Sequence, residues 1–488
     1  MSTSTIREYE MYINGEFVAS RSNEKINVYN PSTEEFISTV PSATEEEVQY
    51  AIEVAEAAQK EWKKVPAPTR ATYLTKLAQL LRDNEDHLAK TISEEQGKIM
   101  ALSRTEVNFT ADYLDYMAAS ARMYEGEIVQ SDRPNENILV FKEPVGVVAG
   151  FLPWNFPFFL IARKAAPALV AGNAIVLKPS SETPNNAIEF AKLVDQIGLP
   201  KGLFNVVTGR GSVVGDKLAG SEKIALVSLT GSVNAGVSVM EAAAKNVTKV
   251  SLELGGKAPA IVAKDADIDL AVKAIVDSRI INTGQVCNCA ERVYVAEEIA
   301  DEFTQKIVEA FKTVTYGNPL EREDIDMGPL VSEQALESVH GMVKRAVEGG
   351  AKVLIGGKPA ETEQGYFYEP TVIINAKQDS ELVQEEVFGP VLPILTFKTI
   401  DEAIELANDS QYGLTSSIFT ENINTAMRAS TELLYGETYV NREHFEAIQG
   451  FHAGRKKSGI GGADGRHGLE EFLQTHVVYL QNHPDKAK

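Results

Sequence analysis

Five stretches in the first half of the chain are apolar with little alternation: Val145–Phe151, Asn173–Leu177, Phe204–Val207, Ile224–Leu229 and Val250–Leu254. A strand wetted on one face alternates apolar and polar positions, whereas a near-continuous apolar run marks a strand covered on both faces. Helix-like stretches separate these runs. One begins at Thr183-Pro184, an N-cap followed by proline at the first helical position, and another spans Val233–Ala244. Strand and helix in alternation predict a doubly wound parallel sheet, which takes ligands beyond the C-terminal ends of its strands.

After Gly255-Gly256 a second such series begins. It is read as a strand at Ala260–Val262, a helix at Asp267–Ile280, a strand at Arg292–Ala296 and a helix at Ala300–Thr313, with further units at Leu336–Glu348, Lys352–Ile355, Val391–Phe397 and Ile400–Asn408. Upstream, Tyr12–Phe17 reads as a hairpin through Asn14-Gly15, and Asn30-Pro31 as a turn. Helices follow at Thr44–Ala58, opened by a capping box, at Pro68–His87, with Leu74, Leu77, Leu80 and Leu81 on one face, and at Arg104–Tyr124. Ile128–Val140 reads as a hairpin with Asp132–Asn135 at its tip. The strand-like tail Thr475–Leu480 is expected to pair outside its own domain.

Composition narrows the function classes. The chain has 488 residues, enough for two or three ordinary domains. Its 47 Lys and Arg against 69 Asp and Glu give a net charge of −22, which argues against nucleic acid or an anionic membrane surface as partner. The start, Met1–Tyr12, is polar and lacks the apolar core of a signal peptide, and no apolar run reaches the ~18–20 residues of a membrane span. Two cysteines two residues apart suit a reducing cytoplasm, where the protein is expected to reside, and form no disulfide framework. The seven histidines show no metal-ligand spacing, so no metal is expected.

Candidate chemistry clusters at strand ends. Cys287 follows the Gly284-Gln285 turn, which suits a positioned, partly accessible thiol; two small buried hydrophobes is the competing reading. Glu253, flanked by leucines before Gly255-Gly256, reads either as a solvated strand end or as a general base with its pKa raised by partial burial. Asn155 in Pro153-Trp154-Asn155-Phe156-Pro157 reads as a turn residue or as an amide donor to an oxyanion. Gly209-Arg210-Gly211-Ser212-Val213-Val214-Gly215 approximates a dinucleotide fingerprint, with its last spacing one residue too long. Thr230-Gly231-Ser232 sits at the next strand-to-helix switch, where backbone N–H groups can face a phosphate, and Lys178 ends a buried strand.

Together, Asn155 in PWNFP, Lys178 in LKPS, Glu253 in LELGGKAP, Cys287 in GQVC and Glu386-Val387-Phe388-Gly389-Pro390 resemble the NAD(P)-dependent aldehyde dehydrogenase family, in its order and spacing, from about Tyr12 to Leu480. Val247–Val250, Gly284–Arg292 and Gly450–Gly465 are most similar to the bacterial branch that oxidises lactaldehyde and glycolaldehyde. The resemblance implies an α/β fold. A doubly wound Rossmann-type NAD(P) domain would comprise 1–124 and 144–255, and a second α/β catalytic domain 256–446. A β bridging element would comprise 125–143 and 470–488, with a substrate-pocket loop and connection at 447–469. It implies Cys287 as nucleophile, Asn155 as oxyanion donor and Glu253 as the base that activates water. It implies Lys178, Ser181, Gly209, Gly215, Gly231, Ser232, Glu386 and Phe388 around NAD or NADP, and a homo-oligomer, dimer or tetramer. Cys289 matches no catalytic position and is read as packing.

Two departures from the family pattern are informative. NAD-preferring members often carry Glu where this chain has Ser181, with Glu182 one step on; an uncharged residue there removes the repulsion of a 2′-phosphate. Positions aromatic in members taking apolar aldehydes are here Arg163, Glu446 and His452, with Asn288 beside the nucleophile. Hence a short hydroxyaldehyde is the expected substrate. The alternatives are a semialdehyde, with Arg163 as the anchor of its carboxylate, or a non-catalytic protein that keeps the fold; a CoA-acylating relative would lack Glu253.

Overall fold

The computed structural model describes residues 6–486; Met1–Thr5, at the start of the polar N-terminal stretch, and the last two residues, at the end of the expected bridging tail, lie outside it. Two large sheets dominate. The first has eight strands, from one edge Gly459–Ile460, Lys249–Glu253, Ile224–Thr230, Val147–Phe151, Ala174–Lys178, Phe204–Val206, Met11–Ile13 and Glu16–Val18. The five from Lys249–Glu253 to Phe204–Val206 are mutually parallel, and antiparallel strands close both edges. These five include all the near-continuous apolar runs, and helices cover their faces; the Val147–Phe151 strand is buried along its whole length.

The second sheet has seven strands in the order Lys352–Ile355, Thr371–Ile374, Val391–Phe397, Ala290–Ala296, Ala258–Val262, Thr415–Phe419 and Glu437–Val440, parallel except at its first edge. The chain passes from one sheet to the other at Gly255-Gly256 and returns to the first through Gly459–Ile460. The Glu127–Gln130 and Glu136–Pro144 hairpin pairs with the tail strand Leu473–Gln481 as a separate three-stranded sheet. No helix among the described residues is long and apolar enough to cross a membrane.

Two helix expectations need correction. The helix expected over Pro68–His87 breaks at Asn84 into Ala67–Asp83 and Glu85–Gln96. Asn84 Nδ2 donates to the Leu80 carbonyl at 2.8 Å, a local bond that competes with the helical ladder, while Leu88 and Ile92 continue the apolar pattern and hide the break. The helix Asn185–Gln196 is not capped by Thr183, whose hydroxyl finds no partner. Its first amides, Asn185 and Asn186, donate instead to the buried Glu95 carboxylate at 2.8 and 2.9 Å, a distant acid serving the helix N-terminus. A further helix, Phe159–Ala171, is missing from the sequence reading and carries Arg163 and Lys164.

Candidate active site

The strand ends Phe151, Lys178, Thr230 and Glu253 all open onto one cleft of about 810 Å³ along the C-terminal edge of the first sheet. Cys287 closes its inner end. The thiol also lines a second, smaller chamber of about 70 Å³ on its other side, so the sulfur stands where the two cavities meet.

The turn that presents Cys287 is unusual backbone. Asn282, Thr283 and Gly284 are consecutive residues at positive φ, 47°, 59° and 75°. Such conformations persist only when the surroundings hold them. Here Gln285 does so: its side-chain amide donates to the Asn282 carbonyl (3.0 Å) and the Pro329 carbonyl (3.3 Å) and accepts from the Val331 amide (2.9 Å). A side chain at Gly284 would meet the Gly389 carbonyl at 2.3 Å. Gly255-Gly256 serves the same purpose from below. A Cβ on Gly256 would lie 2.2 Å from the Cys287 carbonyl, and one on Gly255 2.4 Å from Glu386. The glycines let both reactive segments approach. Cys289 is buried, with its thiol directed to the Val286 carbonyl at 2.8 Å, as the packing reading expects.

Asn155 Nδ2 donates to the Gln285 carbonyl at 3.0 Å, which ties it to the nucleophile turn. Its own carbonyl accepts from Lys98 Nζ (2.8 Å) and Asn282 Nδ2 (3.1 Å). Lys98 forms a fully buried ion pair with Glu106, whose other oxygen accepts from the Phe158 and Phe159 amides at 2.9 and 3.0 Å. This pair fixes both the Asn155 loop and the start of the helix that bears Arg163, and the sequence reading missed it.

Glu253 is buried, and Thr230 Oγ1 donates to its Oε2 at 2.6 Å; Oε1 has no partner. The expected upward pKa shift is corrected. Burial does push Glu253 up, but Arg163 at 3.9 Å, Lys164 at 3.8 Å and His452 outweigh it and hold the carboxyl below its ordinary value. Lys164, pulled down to about 8 by burial, also donates to Ser228 and Thr230.

In the polar ring of the small chamber Arg163, Asn288 and His452 are buried and Glu446 is half-buried, so none is solvated at a mouth. Arg163 Nε and Nη2 grip Asp464 at 3.0 and 2.5 Å, and Nη2 also bonds Glu446 Oε1 at 3.0 Å. Asn288 Nδ2 donates to the other Glu446 oxygen at 2.5 Å. His452 is 2% exposed, lines this chamber together with Cys287, and has its Nδ1 2.6 Å from Glu437 Oε1. Phe109, Phe156, Phe159 and Phe445 are among its apolar lining. Asp464 and Glu437 were not anticipated, because neither stands in a periodic apolar stretch. Lys164 had a legible signal: Arg163-Lys164 are two charges inside an otherwise apolar helix.

The large cleft fits a dinucleotide. Lys178 is pulled down to about 8 by burial, and its ammonium donates only to the Pro179 carbonyl, with no acid beside it. A half-buried cation with no acid beside it suits ribose or phosphate oxygens. Ser181, Gly215, Gly231 and Ser232 line the wall, and Ser232 also caps the helix Val233–Ala244 through the Ala235 amide (3.2 Å), so that helix N-terminus faces the cleft. Glu386 accepts from the Gly256 amide at 2.8 Å, and burial pushes it up to about 8. Phe388, at φ 54°, packs edge-on against Trp154. The buried Glu291, paired to Arg279 and Lys257, accepts the Val387 and Phe388 amides and holds this loop. Gly209 is the exception. It does not line the cleft; at φ 152°, a Cβ there would meet Val214 at 2.3 Å, so it shapes the turn behind the wall. Ser181 faces the cleft and the exposed Glu182 does not line it.

The aldehyde dehydrogenase family model matches residues 17–478. The chain is 60% identical to the lactaldehyde dehydrogenase of Escherichia coli over 97% of its own length and 99% of that protein. It superposes on the crystal structure of that enzyme with a TM-score of 0.97, covering 98% and 100% of the two chains. It is 42% identical to a D-glyceraldehyde dehydrogenase (NADP(+)) of Picrophilus torridus, over 96% of each chain. A betaine aldehyde dehydrogenase of Staphylococcus aureus, solved in complex with NAD+, is 36% identical with a TM-score of 0.95, covering 97% of this chain and 95% of that one.

Proposed function

The chain belongs to the aldehyde dehydrogenase family, and on that premise we propose that it oxidises short 2-hydroxyaldehydes, lactaldehyde and glycolaldehyde, to their acids with NAD or NADP. The observation that carries this reading is the position of Cys287 between a dinucleotide-sized cleft and a small chamber whose ring is polar.

The geometry supports the following roles. Cys287 adds its sulfur to the aldehyde carbon. The oxygen takes up negative charge, and the Asn155 amide together with the Cys287 backbone N–H stabilises it. Bound NAD(P) supplies the acceptor for the electron pair lost as the thiohemiacetal becomes a thioester. Lys178, Ser181, Gly215, Gly231, Ser232, Glu386 and Phe388 hold and orient that cofactor, with Gly209 shaping the turn behind. Glu253, ionised and with Oε1 free, takes a proton from the water that attacks the thioester, and the acid leaves as the thiolate re-forms. The first sheet carries most of the cofactor wall and Glu253, and segments of the second supply the Cys287 turn together with Glu386 and Phe388.

Arg163, Asn288, Glu446 and His452 bond the substrate's 2-hydroxyl. The ring also weighs against a semialdehyde. Arg163 is already paired with Asp464 and Glu446 and stands near Glu253, so the chamber holds more acid than base and repels a second carboxylate. A non-catalytic role is disfavoured by the free Glu253 oxygen and the accessible nucleophile.

Initial rates with lactaldehyde, glycolaldehyde, propanal, acetaldehyde and succinic semialdehyde, each with NAD and NADP, test the proposal. A site built to bond a hydroxyl rejects the analogue lacking it by up to about 10⁴–10⁵. Lactaldehyde should therefore far exceed propanal in kcat/KM; equal efficiency would refute the polar-ring argument and leave the family assignment standing.

A further inference from the structure

Two acids outside the small chamber each hold one of its donors. Asp464 grips Arg163, and Glu437 meets His452. Glu437 opens the edge strand Glu437–Val440 of the second sheet and lines neither cavity, yet its Oε1 stands 2.6 Å from His452 Nδ1. Gly436 makes this approach possible. A Cβ there would meet the Ala453 carbonyl at 1.5 Å, so the strand start can lie against the backbone that follows His452 only without a side chain. Both partners are held in place. The second Glu437 oxygen accepts from the Tyr439 hydroxyl. The Glu437 amide donates to the Leu414 carbonyl at 3.1 Å, and its carbonyl accepts from Ser416 Oγ at 3.1 Å. The His452 backbone bonds Ala463 in both directions at 2.9 and 2.8 Å.

An ionised carboxylate only accepts, so the proton of the Glu437–His452 contact sits on Nδ1. Nε2 lies across the ring from Nδ1 and has no hydrogen-bond partner among the described residues, while His452 lines the chamber. We propose that Glu437 is a positioning residue for substrate selection: by accepting the Nδ1 proton it fixes the His452 ring so that Nε2 meets the substrate's 2-hydroxyl. The inference rests on the hydroxyaldehyde reading above and names a residue outside the chamber on which that selectivity depends.

The chemistry of the contact suits a hydroxyl. A hydroxyl accepts from Nε2–H of a charged ring and donates to bare Nε2 of a neutral one, so it complements the fixed ring in either state. The methylene at C2 of propanal does neither. The other members of the polar ring hold one another. Glu446 bonds both Arg163 and Asn288, so these three keep their places whatever happens at Glu437. His452 has its one side-chain hydrogen bond at Glu437. Without it the ring is free to turn about its outer side-chain bond, where the torsional wells are broad.

The test is steady-state kinetics of the full-length enzyme on lactaldehyde and propanal at saturating cofactor. Glu437→Leu should raise KM for lactaldehyde about 10–100-fold with kcat little changed, because the hydroxyl contact is made in ground and transition states alike. Propanal, which never makes the contact, should keep its kcat/KM within about threefold. Glu437→Gln, whose amide oxygen still accepts the Nδ1 proton, should retain most of the preference. Adding Glu437→Leu to His452→Phe should lower the lactaldehyde-to-propanal ratio no further, since Glu437 acts only through the ring. Equal losses on both aldehydes would mean a merely structural role and overturn the proposal. So would a loss in Glu437→Gln as large as in Glu437→Leu, or a further fall in the double variant. If Glu437→Leu does not fold, Glu437→Asp decides: it keeps the charge but withdraws the oxygen from Nδ1, and an unchanged ratio overturns the inference. Equal efficiency on the two aldehydes in the wild type would instead sink the hydroxyaldehyde reading itself, whereas a wild-type preference that survives Glu437→Leu overturns this inference alone.

Discussion

Two carboxylates close to the thiol are driven in opposite directions, and each gives a prediction. Glu253 is held below its ordinary value by Arg163, Lys164 and His452, so it is ionised wherever the enzyme works. Glu253→Gln keeps the shape and cannot take a proton. It should leave a burst of reduced cofactor followed by turnover slowed about 10²–10⁴-fold, seen by stopped-flow absorbance. Glu386 is pushed up to about 8, mainly by burial, from an ordinary 4.5. Between those values the folded state holds a proton that the unfolded state releases, so this residue's contribution to stability declines as pH rises through the window. Glu386→Gln should flatten the pH dependence of the denaturation midpoint between about pH 4.5 and 8 in the cofactor-free enzyme. Ser181 lines the cleft without a charge. Ser181→Glu should lower the ratio of NADP to NAD efficiency, since a carboxylate facing a 2′-phosphate is like-charge repulsion; an unchanged ratio would place discrimination elsewhere.

At the scale of elements, the Lys98–Glu106 pair links three segments: the Asn155 loop, the start of the Phe159–Ala171 helix and its own helix. Glu106→Gln leaves a buried lysine uncompensated and should cost about 3–5 kcal/mol, with kcat falling as the Asn155 loop loosens. Adding Lys98→Met should recover part of the loss in a thermal melt, because removing both charges costs less than orphaning one. None of this pair was legible in the sequence, where a lysine and a glutamate look solvated until a long-range partner buries them. The central parallel strands were legible for the opposite reason: strands buried on both faces spell their burial locally, as Val147–Phe151 does. Thr415–Phe419 is not among the expected strands, because Thr415, Ser416 and Ser417 give it no apolar run. All five residues are buried, and Thr415 and Ser416 send their hydroxyls to the backbone carbonyls of Asn288 and Glu437. The candidate catalytic residues Cys287, Glu253 and Asn155 were singled out mainly through the motif set, which says nothing of the groups packed around them. Gly209 belonged to the right turn and the wrong face of it.

Among the described residues, the three-stranded sheet leaves a set of apolar side chains uncovered. In the three-stranded sheet, Val129, Ile138 and Tyr479 are register partners, with Val140 and Val477 two positions along the same face; Ile128, Leu139 and Val478 form a row on the other. Ile128 is 78% exposed and Tyr479 67%, and both outer strands present unpaired edges. Apolar rows on both faces with open edges are a liability for a lone molecule and suit contact with other copies, the basis for proposing a dimer or tetramer. Charge opposes that assembly. Each copy carries −22, so subunits repel, and screening by salt should strengthen association. Two outcomes follow in sedimentation velocity. Wild-type protein should shift toward lighter species as ionic strength falls. Ile128→Asp with Tyr479→Asp should shift it further at every salt concentration, since each substitution puts a charge into a face that must be desolvated. These positions are remote from Cys287, so the dissociated variant should retain its thiol reactivity. A monodisperse monomer in the wild type at high salt would refute the assembly outright. An unchanged mass in the double variant would move the contact to another surface.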